Sequence, residues 1–203
     1  MVDYPLTPFH LQILQNSELY GDDIALTDDD GDVSFREVYQ QSFQFAALQH
    51  SVGLRKGDPI LIAVLNSSWY PVLFLGAAVI GCPLSGISHD STSEEILYYF
   101  EQSRAKAVIC TAENFAKLEG LLPLQKILVL CSTEERPEFP LGAVVLPHDL
   151  PQWNYHLPSL FRDIHHEPDD TLLLPFSSGT GGKPRCVNLT HRNYSAATAI
   201  LKT

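Results

Sequence analysis

The strongest constraint on the fold is an alternation of short apolar runs and amphipathic stretches between residues 59 and 131. Residues 59–64, 107–111 and 126–131 are apolar runs of strand length. Continuous runs of this kind are typical of strands that are covered on both faces. The stretches between them have helical periodicity, so the sequence predicts repeated βαβ units with right-handed connections. We therefore expect an α/β fold, a mostly parallel sheet with helices on both faces.

Two capping boxes predict where helices begin. Ser34 is followed three residues later by Glu37, and Thr92 is followed in the same way by Glu95. In this motif the hydroxyl accepts the N–H of the third helical residue, whose carboxylate in turn accepts the N–H of the capping residue. The helix that begins after Ser34 is expected to run to about residue 49.

The remaining elements follow from periodicity and turn residues. Further helices are predicted over residues 8–20, 67–81 and 113–121, a strand over 83–87, and a small hairpin around residues 29–32. Few secondary-structure elements can be predicted over residues 132–170, where prolines are frequent. There the sequence predicts only an edge strand over residues 143–146 and a helical turn over 159–164.

A glycine- and hydroxyl-rich loop over residues 177–185 carries the main chemical signal. It holds three glycines, two serines, one threonine and two cations, without a carboxylate. Glycines let backbone N–H groups turn around an oxyanion, while hydroxyls and cations add donors and charge. A strand is predicted before the loop, over residues 171–176, and its partner after it, over 186–190, with Val187 and Leu189 on one face. The alternative is a hairpin of ordinary turn residues without a ligand.

The charge distribution favours the phosphate interpretation. Residues 1–170 hold nine Lys or Arg against all twenty-four acids (9 − 24 = −15), whereas residues 171–203 hold four cations and no acid, within a chain of formal charge −11. A cationic end on an acidic chain suits a local phosphate site better than a nucleic-acid surface. We therefore expect no nucleic-acid partner.

The spacing of the loop disfavours two familiar nucleotide motifs. The strand-to-helix phosphate loop, Gly-x-x-x-x-Gly-Lys-Ser/Thr, would need a glycine where Ser177 stands and a hydroxyl where Pro184 stands. Pro184 also occupies the third glycine position of Gly-x-Gly-x-x-Gly, which weakens a dinucleotide-binding or kinase interpretation.

Other classes of protein find little support. The most apolar stretch, residues 72–80, is far shorter than the roughly 20 residues that span a bilayer, and no secretory signal begins at Met1. We expect a soluble chain without a transmembrane segment. Four cysteines occur singly, so buried, reduced and inert thiols are expected rather than disulfides or a zinc cluster: Cys82, Cys110, Cys131 and Cys186.

Two candidate metal motifs are also disfavoured. The acidic turn around Asp28 resembles a calcium loop, but Leu26 stands at its first ligand position. The adjacent His165 and His166 would point to different sides of a strand or helix, so a surface pair is the favoured interpretation. The sequence thus predicts no metal-binding residue.

Residues 177–193, Ser-Ser-Gly-Thr-Gly-Gly-Lys-Pro-Arg-Cys-Val-Asn-Leu-Thr-His-Arg-Asn, resemble the phosphate-loop signature of the adenylate-forming superfamily. That superfamily includes acyl-CoA synthetases, 4-coumarate–CoA ligases, luciferases and peptide-synthetase adenylation domains, with the pattern Ser-Ser-Gly-Thr-Thr-Gly-Leu-Pro-Lys-Gly-Val-x-Leu-Thr-His-x-Asn. Four positions depart from it: Gly181, Lys183, Arg185 and Cys186 replace threonine, leucine, lysine and glycine. Because arginine is a planar fork rather than a point charge, the phosphate geometry should differ.

Residues 32–38, 53–58 and 66–111 are similar to the early part of the 4-coumarate–CoA-ligase-like branch. Residues 1–203 then correspond to an incomplete N-terminal AMP-binding domain, part of the large N-terminal domain of an adenylate-forming enzyme, with the phosphate loop at 177–185 and the C-terminal lysine-bearing domain absent. The resemblance implies phosphate-cradling residues with two charge partners, which are Ser177, Ser178, Gly179, Thr180, Gly181 and Gly182, then Lys183 and Arg185.

The resemblance also implies an acid–thiol ligase that uses ATP and Mg²⁺, activates a small carboxylic acid as acyl-AMP and transfers it to coenzyme A. No catalytic residue is assigned, because the family's magnesium-binding Glu, ribose-binding Asp and catalytic Lys lie downstream of the loop. We expect no acid-dependent ATP–pyrophosphate exchange from the isolated chain, and a cytoplasmic or peroxisomal location. The alternatives are a truncated, non-catalytic nucleotide-binding or interaction protein, and an unrelated phosphate-binding α/β domain.

Overall fold

The computed structural model describes residues 7–123, 126–131, 138–140, 143–178 and 183–201. Its helices are α1 Phe9–Tyr20, α2 Phe35–Ser51, α3 Trp69–Val79, α4 Ser93–Gln102, α5 Ala112–Leu118, a 3-10 helix Leu157–Phe161, and α6 His191–Leu201. Its strands are β1 Ile24–Asp28, β2 Gly31–Ser34, β3 Ile60–Ala63, β4 Leu84–Gly86, β5 Ala107–Thr111, β6 Ile127–Leu130, β7 Val144–Leu146, β8 Thr171–Leu173, β9 Phe176–Ser177, β10 Arg185–Cys186 and β11 Leu189–Thr190.

The main sheet is mostly parallel, as the sequence predicts. Its seven strands lie in the order β11-β8-β4-β3-β5-β6-β7. Pairing is parallel from β8 to β7, and only β11 runs antiparallel to its neighbour β8. The predicted edge strand is confirmed as β7, which pairs with β6.

The central strands are buried on both faces, which explains their uninterrupted apolar sequence. In β3, Ile60 and Ile62 face a core formed with α1, α2 and α3, whereas Leu61 faces a second core formed with α4 and α5. Successive side chains of a strand point to opposite faces, so each face needs its own apolar set. The prediction of helices on both faces is confirmed.

Both capping boxes form. The N–H of Glu37 donates to the Ser34 hydroxyl at 3.2 Å, and the N–H of Ser34 donates to the Glu37 carboxylate at 2.8 Å. Thr92 and Glu95 repeat this arrangement at the start of α4. These helix starts were fixed by local hydrogen bonding, which is why the sequence reveals them.

The observed ends of several helices differ from the predicted ends. Helix α2 extends to Ser51, two residues past its predicted end, and α5 ends at Leu118 instead of residue 121. Residue Glu119 leaves the helical region at ψ 126°, and Gly120 adopts φ +81°, which together stop α5. The predicted turn over residues 159–164 is the 3-10 helix Leu157–Phe161, which begins two residues and ends three residues earlier than predicted.

All four thiols are free. Burial raises the pKa of Cys82 and of Cys110 to about 12, so both are inert as expected. Cys131 is also buried, but Cys186 is only half-buried because it lies on a short hairpin outside the main sheet. No helix among the described residues has the length and apolar content that a bilayer crossing requires.

Helix α1 brings His10 against two other histidines. The His10 ring centroid lies 4.6 Å from that of His166 and 5.3 Å from that of His191. His165 has an 81% exposed side chain, whereas His166 is half-buried, so the predicted surface pair is wrong for His166. Burial, reinforced by the neighbouring rings, lowers the pKa of His10 to about 2, and burial lowers that of His191 to about 4.

Substituting Gly76 tests the packing of α3 on α2. A Cβ at Gly76 would lie 2.6 Å from the Ser42 carbonyl oxygen and 2.9 Å from the Phe45 ring. Gly76→Ala gains about 1 kcal/mol of helix propensity. Overpacking against a backbone atom outweighs that gain, so we expect a net loss of about 1–3 kcal/mol in the free energy of unfolding, measured by urea denaturation. An unchanged or higher urea midpoint would contradict this packing.

The buried histidines predict a loss of stability below neutral pH. Their folded pKa values lie below the unfolded value of about 6.5, so the unfolded chain binds protons first as the pH falls. Stability should therefore be fully present above pH 6.5 and fall by about 1.4 kcal/mol per pH unit per ring toward pH 4. Urea midpoints at pH 7 and 5 measure this. His10→Gln should reduce the slope, and His165→Gln should not; equal slopes in both variants would refute the assignment.

Candidate phosphate-binding site

The glycine-rich segment lies in a small hairpin of its own. Strands β9 and β10 pair antiparallel, with Ser177 opposite Arg185, and the Ser177 hydroxyl donates to the Arg185 carbonyl at 3.4 Å. The predicted strand over residues 171–176 is divided into β8 and β9 at Pro175, which has no N–H to donate to a ladder.

The predicted partner strand is divided as well. Strands β10 and β11 are separated by Val187 and Asn188, and the Val187 N–H donates to the Pro175 carbonyl at 2.8 Å. Val187 is 38% exposed and Leu189 is half-buried in the edge strand β11, so the two do not share one covered face. The hairpin therefore projects from the main sheet rather than continuing it.

The hairpin begins at the carboxyl end of the parallel strands. The N–H of Leu174, directly after β8, donates to the Leu84 carbonyl of β4 at 2.8 Å. The Ser85 hydroxyl donates to the Leu174 carbonyl at 2.7 Å. In open α/β sheets, ligands bind at this edge, outside the carboxyl ends of the strands.

The structure describes half of the predicted phosphate-binding residues. Ser177, Ser178, Lys183 and Arg185 are described, and all four are exposed. The other four, Gly179, Thr180, Gly181 and Gly182, lie outside the described residues. Hydroxyl and cationic groups thus flank the tip of the hairpin on both strands.

The cations of the hairpin differ in their partners from Arg192 and Lys56, which pair with acids just before β8. Within the described ranges neither Lys183 nor Arg185 forms an ion pair, and the Lys183 ammonium lies 5.8 Å from the centroid of the Tyr98 ring. By contrast, Arg192 is held by Asp169 at 2.7 and 2.9 Å, and Lys56 by Asp170 at 2.7 Å. The positive charge at the hairpin is therefore available to an anion.

Helix α4 supports the hairpin through two consecutive tyrosines that were not among the predicted site residues. The Tyr98 hydroxyl donates to the Pro184 carbonyl at 3.1 Å, and the Tyr99 ring lies 4.6 Å from the Phe176 ring. Adjacent helical residues point about 100° apart, so two consecutive tyrosines cannot share one face. That adjacency was the signal available in the sequence.

A hollow of about 420 Å³ lies between the hairpin, α4 and the carboxyl end of β4. Its lining contains hydroxyl, carboxylate and aromatic groups, from Gly86, Ile87, Ser88, Asp90, Ser91, Glu95, Tyr99 and Phe176. Hydrogen bonds from Thr92, its backbone N–H first and then its hydroxyl, lower the pKa of Glu95, which keeps this carboxylate ionised. The hollow can receive a polar ligand whose anionic end reaches the hairpin.

The residues after the hairpin have structural partners. Thr190 caps α6: the Asn193 N–H donates to the Thr190 hydroxyl at 3.3 Å, and the Thr190 N–H donates to the Asn193 side-chain oxygen at 2.9 Å. His191 Nδ1 accepts the Phe9 N–H at 3.2 Å, which joins α6 to α1. This part of the motif therefore holds the hairpin to the rest of the fold.

Comparison with protein families matches residues 14–202 to the family described as AMP-binding enzyme. The chain belongs to this family. It is 29% identical over 194 residues to 4-coumarate-CoA ligase 1 of Narcissus pseudonarcissus, covering 95% of this chain and 34% of the relative. It is 31% identical over 192 residues to 4-coumarate–CoA ligase-like 1 of Arabidopsis thaliana, covering 91% of this chain and 33% of the relative.

Solved structures of adenylate-forming enzymes share the fold of this AMP-binding enzyme family member. The anthranilate CoA ligase AuaEII, in complex with anthranoyl-AMP, matches with a TM-score of 0.73 and 22% identity over 94% of this chain and 36% of that chain. A luciferase from Phrixothrix hirtus matches with a TM-score of 0.73 and 18% identity over 100% of this chain and 50% of that chain. The chain spans about a third of the length of the curated relatives named above.

Removing the Tyr98 hydroxyl tests the support of the hairpin. Tyr98→Phe keeps the ring beside Lys183 but loses the hydrogen bond to Pro184, worth about 0.5–1.5 kcal/mol. We expect faster hydrogen exchange of the amides of residues 185–187, with little change in the core. Tyr155→Phe, at an 89% exposed tyrosine, is the matched control. Equal exchange in both variants would show that α4 does not hold the hairpin.

Proposed function

We propose that these 203 residues belong to an ATP-dependent acid–thiol ligase. The enzyme activates a carboxylic acid as acyl-AMP with release of pyrophosphate, then transfers the acyl group to coenzyme A. Its phosphate-binding element is the β9–β10 hairpin. Family membership and the CoA-ligase relatives support this reaction class.

One observation carries the proposal. Lys183 and Arg185 follow a glycine-rich sequence, without ion-pair partners among the described residues, at the carboxyl edge of a parallel sheet. Cations and hydroxyl donors in this position stabilise the negative charge that grows on the leaving pyrophosphate. Arg185 offers a fork of donors suited to two phosphate oxygens, whereas Lys183 acts as a compact charge.

Magnesium fits the site only in part. Mg²⁺ prefers oxygen ligands and is commonly held by phosphates together with one or two carboxylates. The described residues of the hairpin carry no carboxylate. Of the two carboxylates in the adjoining hollow, Glu95 is engaged by Thr92 and Asp90 lies 3.1 Å from His89 Nε2. We propose that Mg²⁺ is held mainly by the phosphates of ATP, where it neutralises their charge, while hydroxyls of Ser177 and Ser178 orient them.

Binding of ATP tests the role of the hairpin cations. Lys183→Ala and Arg185→Ala should each weaken ATP binding about 10-fold, because an exposed charge-assisted hydrogen bond lies at the low end of about 1.5–3 kcal/mol. Isothermal titration with ATP, in the longest natural chain that contains these residues, measures the change. Lys106→Ala is the control, since Lys106 is exposed at the opposite, amino-terminal end of β5. Equal losses in all three variants would indicate a general charge effect and contradict the site.

The reaction itself is tested by acid-dependent ATP–pyrophosphate exchange in the same chain, with a panel of aromatic and aliphatic acids, followed by coenzyme A acylation. Exchange with at least one acid supports the ligase. ATP binding without exchange for any acid would favour the alternative, a non-catalytic nucleotide-binding protein of the same fold.

A further inference from the structure

Three histidines from distant parts of the chain meet beneath α1. His10 lies on α1, His166 in the loop before β8, and His191 at the first position of α6. Their ring centroids are separated by 4.6, 5.3 and 6.0 Å. One ring nitrogen from each histidine lies within 4.8 Å of the other two. This arrangement is independent of the hairpin and its hollow.

The cluster contains buried ring nitrogens without partners. His10 is 1% exposed and His191 is 2% exposed. Nδ1 of His10 and Nδ1 of His166 are both buried, and neither has a hydrogen-bond partner among the described residues. A buried polar group left unsatisfied costs about 1–3 kcal/mol, so a pair of them in one place points to a missing partner.

The protonation state of His166 suits a metal ligand. Its Nε2 lies 3.2 Å from the Val79 carbonyl oxygen, which can only accept. Nε2 therefore carries the hydrogen, and the buried Nδ1 keeps its lone pair for a ligand. Metal-binding histidines commonly donate their other N–H to a backbone carbonyl in this way, which orients the ring.

We propose that His10, His166 and His191 bind a divalent transition metal, with Zn²⁺ as the best fit. Neutral imidazoles suit Zn²⁺, Ni²⁺ and Cu²⁺, whereas Mg²⁺ and Ca²⁺ require oxygen ligands that the three rings lack. With Zn–N distances of about 2.0–2.1 Å, nitrogens in a tetrahedral site lie about 3.3 Å apart. In the structure the three ring nitrogens lie within 4.8 Å of one another, so small ring rotations bring them to the spacing of about 3.3 Å. A water molecule completes the fourth coordination position.

His191 couples the metal to the start of α1. Its Nδ1 accepts the Phe9 N–H at 3.2 Å, so the neutral ring carries its hydrogen on Nε2. Coordination by Nδ1 displaces the Phe9 N–H, and coordination by Nε2 moves the ring proton to Nδ1, which can then no longer accept the Phe9 N–H. Either mode changes the environment of the Phe9 amide, which has no acceptor within its own helix as the first residue of α1.

The metal has a structural role. It joins α1 to the loop before β8 and to α6, which follows the phosphate-binding hairpin. A metal that binds only the folded chain stabilises it by an amount that grows with the logarithm of the metal concentration above Kd.

Zinc titration of a paired set of variants tests the site. The longest natural chain that contains these residues is prepared without a histidine tag, and Zn²⁺ affinity and the Zn²⁺-induced rise in Tm are measured. His166→Gln should lower the affinity at least about 10- to 100-fold, the range seen even for residues that only support metal ligands. His165→Gln, at the adjacent 81% exposed histidine, should leave both values unchanged. No Zn²⁺ binding, or an equal response in both variants, would overturn the proposal.

A measurement on the unmutated chain covers the case in which His166→Gln does not fold. X-ray absorption of the Zn²⁺-loaded protein should show imidazole nitrogens at about 2.0–2.1 Å and no sulfur ligand. The Phe9 amide resonance should move during the titration. Sulfur coordination, which would place the ion at a cysteine, or an unmoved Phe9 resonance would overturn the proposal.

Discussion

Burial of the parallel sheet on both faces is the constraint on which the rest of the structure depends. Strand β3 contributes Ile60 and Ile62 to one core and Leu61 to the other, so both of its faces carry apolar side chains. The exposed polar groups of the candidate site lie instead beyond the strand ends. The hairpin β9–β10 and its adjoining hollow lie there, at the carboxyl edge beside β4. The covered sheet thus supplies a rigid base for the hairpin β9–β10.

Charge pairing distinguishes the two hairpin cations from Arg192 and Lys56, whose acidic partners directly precede β8. Asp169 pairs with Arg192, and Asp170 pairs with Lys56. These pairs join α6, and the segment that precedes β3, to the loop before β8. The hairpin itself contains no acidic residue, so the positive electrostatic potential of its two cations is available to a ligand. Because exposed pairs are worth at most about 1 kcal/mol, this division matters more for the direction of the electrostatic field than for stability.

The end of the signature motif acts as an anchor for the hairpin. Thr190 and Asn193 cap α6, and His191 receives an amide from α1. The hairpin is therefore anchored by the start of α6, which follows it in the chain, and by its contacts with α4. The proposed metal site uses the same His191, so helix α1, although distant in sequence, takes part in fixing the segment that follows the phosphate-binding turn.

The sequence by itself determined the strands, the helix caps and the chemical character of the turn, because each depends on residues a few positions apart. The edge strand β7 and both capping boxes were predictable for this reason. Tertiary structure alone decided which distant segments meet. It divided the predicted strands around Pro175, turned Tyr98 toward the hairpin and buried His166 against His10. Contacts across 156 residues (166 − 10) depend on how helices pack on the sheet, and local periodicity carries no information about that packing.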